Sequence, residues 1–285
     1  MIGVEDLQKI IEAVLFTGYI KGERPLSLLL IAKVGFGKSQ LLNRYSISSD
    51  GVYYATDITP YALHKTHQNE LKSGKIKHII IPDLLNALNK PKEQAEAFIT
   101  FFNALIEEGI AKVESRSSDF VIRFPVSIGL ITAIAQQDYD RRRHKWATMG
   151  FLSRNIIVRY GYSQTTINKI IKSIILREYR EDHPVKMEMW NAPQEVTFPI
   201  EIGVKIYKIA EKVKDPSDTM GGRKLKQLQR FAMGLALRDH RLEVNNDDYT
   251  ELERLSEFME QPALLKVKDG RYDRLVEDPD SYKEL

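Results

Sequence analysis

An apolar run, Leu26 to Ile31, leads into Ala32-Lys33-Val34-Gly35-Phe36-Gly37-Lys38-Ser39 and then into the helix-compatible Gln40-Leu41-Leu42-Asn43. A buried strand, a glycine-bearing loop and a helix in direct succession leave a chain few folds to choose from. The loop completes the phosphate-binding P-loop pattern in the context that pattern needs. Gly35 and Gly37 let backbone N–H groups turn inward around a phosphate, and the helix N-terminus adds partial positive charge. Lys38 is placed to reach terminal phosphates, and Ser39 offers a hydroxyl to Mg²⁺. Val34, Gly35, Phe36, Gly37, Lys38, Ser39 and Gln40 are therefore the expected nucleotide contacts, with ATP and Mg²⁺ as the expected ligands.

The rest of the chain repeats the alternation. Leu7, Ile10, Ile11 and Val14 recur at helical spacing. Lys77 to Asp83 is a second buried strand, ending in a carboxylate. Glu93 to Glu107 is expected to be helical, with Phe98, Phe101, Phe102, Leu105 and Ile106 as its core stripe. Ile110–Val113 and Phe120–Phe124 flank a polar tip, Ser115 to Asp119, and predict a β-hairpin. A third buried strand spans Ile128 to Ala133, followed by a charged stretch from Asp138 to Lys145 and a helix marked by Ile167, Ile170, Ile171, Ile174 and Ile175. Strands separated by helices demand a parallel sheet with right-handed crossovers, an α/β fold whose ligands sit at the carboxyl ends of the strands.

Beyond His183-Pro184 the character changes. Asn191 to Pro199 is proline-broken and extended, and from Ile202 onward the periodicity is helical, with Asn245 to Asp248 supplying N-cap chemistry. The expected organisation is an α/β nucleotide-binding domain over residues 1–190, a small all-helical domain over 191–262, and a charged tail over 263–285.

Composition limits the partners. Among 285 residues, 42 basic and 39 acidic side chains leave a net charge of +3, so a case for nucleic acid must rest on local clusters. The absence of cysteine excludes disulfides, zinc fingers and thiol catalysis. No apolar run approaches the length of a membrane helix, and Met1 to Asp6 has neither the basic start nor the apolar core of a signal peptide. A cytoplasmic, membrane-free setting is the expectation. His64 and His67 lie near each other without a completing carboxylate pattern and read as structural.

In order and spacing these motifs resemble a AAA+ ATPase over roughly residues 5–260, closest to the branch of minichromosome-maintenance helicases and MoxR-type ATPases. Leu105 to Gly109 leading into the hairpin resembles the presensor hairpin of that branch. Phe151-Leu152-Ser153-Arg154-Asn155 resembles its arginine-finger segment. Gly222 to Leu228 and Arg241 to Val244 resemble its helical lid. The resemblance implies a P-loop AAA+ domain followed by the lid, a homo-oligomeric ring (a hexamer is favoured), and ATP hydrolysis between subunits. It casts Arg154 as the arginine finger and Arg223 as a lid residue contacting the same phosphate.

Two departures stand out. The second acidic motif offers only Asp83, which must serve metal or water, with Glu107 and Glu108 as candidates to assist; and Thr132 stands in for the usual asparagine that orients water. Asp83, Thr132, Arg154 and Arg223 thus form the expected catalytic set, with Ser39 and Asp83 on the metal. For a nucleic-acid partner the candidates are Lys112 and Arg116 of the hairpin, and Arg141, Arg142 and Arg143 with Trp146 available to stack on a base. A helicase-like motor or loader is the leading expectation. The alternatives are a MoxR-like ATPase remodelling a partner protein and an ATP-gated scaffold with weak hydrolysis.

Overall fold

The computed structural model describes residues 3–46, 51–115, 118–177, 184–214 and 221–259. In chain order its helices and strands are α1 (Glu5–Phe16), β1 (Ser27–Ala32), α2 (Lys38–Asn43), β2 (Val52–Tyr54), α3 (Pro60–Thr66), α4 (Gln68–Lys72), β3 (His78–Ile81), α5 (Leu85–Leu88) and α6 (Lys92–Asn103). There follow β4 (Ile110–Ser115), β5 (Ser118–Val126), β6 (Gly129–Ala135), α7 (Gln136–Thr148), α8 (Phe151–Arg154), β7 (Asn155–Arg159) and α9 (Gln164–Ile175). Last come α10 (Ile200–Val213), α11 (Gly222–Arg238) and α12 (Asn246–Leu255).

Five strands form a parallel sheet in the order β2-β3-β6-β1-β7, and β4 and β5 form a separate antiparallel hairpin. The expected α/β class and all three buried strands are present. β1 is central and every one of its residues is buried, as a strand covered on both faces must be. Its alternation sorts the two layers. Leu28 and Leu30 face α1, α2 and the C-terminal helices together with Ile131, Ala133, Ile156 and Val158. Leu29 and Ile31 face the elements α3 to α8 together with Ile79, Ile81, Leu130, Ile134 and Ile157.

The helices after residue 200 share the first of these cores with α1 and the sheet. α1 and α11 approach so closely that a Cβ on Gly234 would lie 2.2 Å from the Ala13 carbonyl oxygen. The extended connection before them is tied down at both ends. The Gln194 N–H donates to the Tyr19 carbonyl, the Thr197 N–H to that of Leu242 and the Trp190 indole to that of Leu237. Asn245 caps α12 with both arms of a capping box closed through Asp248, as its sequence predicts.

Three segments differ from expectation. The charged stretch after β6 is the helix α7, whose Tyr139 and Trp146 are buried. Asp138–Arg142 at helical spacing supports it on the solvent side. The helix expected over Glu93 to Glu107 ends at Asn103 and closes with a π turn, Ala104–Glu108. Of the five isoleucines of α9, Ile167 and Ile170 pack on the core, whereas Ile171, Ile174 and Ile175 stay exposed. Residues 263–285 lie outside the described residues. Among the described residues no helix is long and apolar enough to cross a membrane.

Candidate functional site

Parallel strands give the sheet two chemically different edges, and the expected site residues divide between them. At the carboxyl edge, β1 runs into a loop that turns on Gly35 (φ 84°) and Gly37 (φ 70°), both in the left-handed region that side chains disfavour. The loop departs from the full P-loop signature at one position: Ala32 stands where the first glycine is expected. It is the last residue of β1 and has no positive φ, so alanine fits without strain. Val34 at the loop crest is 76% exposed. Tyr160, just past β7, donates its hydroxyl to the Phe36 carbonyl at 3.0 Å, and the Tyr162 ring lies 5.2 Å from that of Phe36. The loop is thereby pinned from the neighbouring strand.

Lys38 folds back over this loop, donating to the carbonyls of Ala32 at 3.0 Å and Lys33 at 2.8 Å. Burial pushes its pKa down, and the nearby Asp83 carboxylate opposes that shift. Ser39 donates its hydroxyl to the Pro82 carbonyl at 3.3 Å, which sets it beside Asp83 at the end of β3. Asp83 Oδ1 accepts the Leu85 N–H at 3.0 Å. Lys38, Ser39 and Asp83 therefore converge at the carboxyl edge, from the ends of β1 and β3, which flank β6. Gln40 follows in the first turn of α2. A hydroxyl and one carboxylate are hard oxygen donors of the kind Mg²⁺ takes when phosphates complete its shell. Among the described residues, no three His, Asp or Glu side chains form a cage for a metal.

Thr132 is level with Ile81, the last residue of β3, but enclosed. It lies three residues before the end of β6, between Leu29 and Ile81, with 0% exposure. The first polar side chain beyond β6 is Gln136, since Ala135 pairs with Ala32 at the foot of the loop. Its amide nitrogen donates to both Asp140 carboxylate oxygens, at 3.0 and 2.9 Å. The signal was in the sequence: Gln136 is the first hydrogen-bonding side chain after the apolar run. Thr132 is the residue the family resemblance points to, in the place of an asparagine, and strand length cannot be read from hydrophobicity alone.

The amino edge carries the arginines. Asn155 pairs with Ser27 at the start of both strands, so Arg154 sits at the opposite end of β1 from the loop. The Ile128 N–H donates to the Leu105 carbonyl and brings the π turn to the same edge. There, Glu107 Oε2 lies 2.5 Å from Arg154 Nε, and Glu107 Oε1 lies 2.7 Å from an Arg223 terminal nitrogen. Arg223 also donates to the Ser153 hydroxyl at 2.7 Å, Gln227 to the Ser153 carbonyl at 3.1 Å, and Arg154 to the Gly150 carbonyl at 2.8 Å. The two arginines singled out from the sequence do meet. Glu107 is their partner and cannot assist the P-loop of its own chain, because about 17 Å of strand separates the edges. Glu108 is exposed in the same turn.

The expected nucleic-acid contacts fare unequally. Trp146 is 3% exposed and packs on Tyr139 and Phe151, so it cannot stack on a base. Arg142 lies 3.3 Å from Asp138, and Lys145 is paired with Glu96. Arg141 remains largely exposed, 3.8 Å from Asp138. Arg143 lies on α7 with its Nε buried near Tyr139. Arg116 falls outside the described residues; Lys112 pairs with Val121 through the backbone of the hairpin, and its side chain is likewise outside them. The His67 ring packs at a tilt against that of Tyr53, with centroids 4.2 Å apart.

No family model matches the chain, and no curated protein sequence matches it.

Proposed function

We propose that this protein is an ATP-binding, AAA+-like ATPase whose catalytic site is completed by a second copy of the chain. The observation that carries this reading is the split between the edges. Lys38, Ser39 and Asp83 stand at one and Arg154 and Arg223 at the other, too far apart for an arginine side chain to span. Each chain then brings a phosphate cradle on one side and cationic donors on the other. Such an arrangement repeats head to tail into a closed ring. The exposed isoleucines of α9 are the kind of apolar surface that self-association buries.

When bound, the nucleotide supplies the phosphoryl group and Mg²⁺ neutralises its charge. The chain's own part is positional. The left-handed glycines aim backbone N–H groups inward, and Lys38 exchanges two carbonyl partners for phosphate oxygens. Ser39 and Asp83 hold the metal. Gln136, its amide nitrogen held by Asp140, orients the attacking water with its amide oxygen. Arg154 and Arg223 from the adjoining copy stabilise charge on the transferred group.

Action on nucleic acid is the leading reading of the output. It rests on the hairpin, because the α7 cluster is largely engaged in pairs of its own. A second reading, an ATP-gated scaffold with slow turnover, has one observation in its favour. The position after Asp83, where a second carboxylate would activate water, is Leu84, fully buried with its N–H on the Ala133 carbonyl. The deciding measurement is ATP hydrolysis with and without single- and double-stranded DNA, beside Lys38→Ala. Turnover that rises with DNA and vanishes in the variant supports a nucleic-acid motor. ATP-dependent assembly with only background turnover supports the scaffold. A wild-type chain that fails to bind ATP overturns both.

A further inference from the structure

Glu107 occupies an unusual position for a carboxylate. One of its oxygens faces Arg154 and the other faces Arg223, the forked arrangement that these side chains also offer a phosphate. A third guanidinium contributes to the same field. The pKa of Arg230, three residues beyond the Gln227–Ser153 contact on α11, is pushed down by burial and held up in part by Glu23 and Glu107. Arg230 has Glu23 3.8 Å away as its nearer carboxylate, which leaves Glu107 shared between Arg154 and Arg223.

The backbone around Glu107 is equally particular. It belongs to a π turn, a distortion that recurs at functional positions in helices. Only Gly109 separates that turn from β4. Its φ of 75° and ψ of 157° are open to glycine alone, and a Cβ there would meet Pro125 at 2.9 Å and Ser127 at 3.0 Å. Whatever holds Glu107 in place thus also sets where the hairpin begins.

We propose that Glu107 is an internal competitor for the phosphate of the neighbouring copy: it holds Arg154 and Arg223 while the chain is alone and yields them when a nucleotide-loaded P-loop docks. This inference rests on the shared-site reading above. On yielding, the π turn loses its two anchors, so occupancy of one chain's phosphate site is transmitted to the adjoining chain's hairpin.

The test is nucleotide-driven assembly, followed by sedimentation across protein concentration with a non-hydrolysable ATP analogue, for wild type, Glu107→Gln and Glu107→Asp. Glu107→Gln keeps the shape and removes the charge. It is expected to assemble at about tenfold lower protein concentration than wild type, with Glu107→Asp between the two. Amide exchange over residues 110–115 is expected to be faster in unassembled Glu107→Gln than in unassembled wild type. Assembly of Glu107→Gln at the wild-type concentration, or at a higher one, overturns the proposal and makes Glu107 a structural prop for the arginines. Should Glu107→Gln melt well below wild type, Glu107→Asp decides alone: it must still assemble more readily than wild type. If wild type does not assemble with the analogue, the shared-site reading fails and this inference fails with it.

Discussion

The two edges of the sheet are built by opposite means. The carboxyl edge is made of backbone: two left-handed glycines, a loop crest open to solvent, and a lysine resting on carbonyls. A Cβ on Gly35 would meet nothing within 4 Å. The amino edge is made of close-packed side chains. A Cβ on Gly129 would lie 2.3 Å from both the His78 ring and the Leu26 carbonyl oxygen, and one on Gly150 would strike the Arg154 guanidinium. On the proposed function, the edge that admits a ligand is the one left open, where the backbone can still turn inward. An edge that presents fixed charges needs those charges braced.

The largest effect should come from separating the edges between two chains. Lys38→Ala and Arg154→Ala are each expected to reduce turnover by about a thousandfold. Arg154→Ala should still bind ATP as wild type does. Mixing the two inactive variants should restore a measurable fraction of turnover, because an intact cradle can then meet an intact arginine. No recovery, with both variants assembling normally, would remove the shared site and with it the functional contrast between the edges.

Stability should contrast next. Gly129→Ala is expected to cost about 3 kcal/mol or more, since the backbone oxygen it strikes cannot step aside. Gly35→Ala should cost only about 1 kcal/mol, from its left-handed φ. Chemical denaturation of the two variants compares them directly, and equal losses would contradict the open-edge description.

Within the carboxyl edge, Gln136→Ala should lower turnover roughly tenfold to a hundredfold while leaving ATP affinity unchanged. Thr132→Val should leave turnover near wild type. Reversed results would return the water-orienting role to Thr132.

The remaining contrast is acid sensitivity at the amino edge. His78 is fully enclosed, its Nε2 3.2 Å from the Leu26 carbonyl, and burial pushes its pKa down to about 3. Below about pH 6.5 the unfolded chain takes up a proton that the folded chain refuses. Folding stability present above that pH should therefore fall as pH drops toward 3, by about 1.4 kcal/mol per unit from this group. Denaturation at pH 7 and pH 5 measures it, and His78→Gln should flatten the profile.

How much of this was legible beforehand follows from the range of the forces involved. The loop, the three buried strands, the hairpin and the cap of α12 each depend on neighbours within a few positions, and all were readable from residue type and period. The length of β6 was not, because its end is set by where β1 stops. That length decides which polar side chain stands first past the strand, Gln136. Trp146 read as a surface aromatic among arginines, yet helical spacing turns it inward onto Phe151.

Sequence alone determined that this chain is an α/β protein with a glycine turn between a buried strand and a helix, since backbone conformation and apolar periodicity are local properties. Only the tertiary structure decided that Glu107 takes both arginines. Ser153 and Arg223 are 70 positions apart, and three side chains from separate segments meet only after the sheet has closed and α11 has packed across its edge.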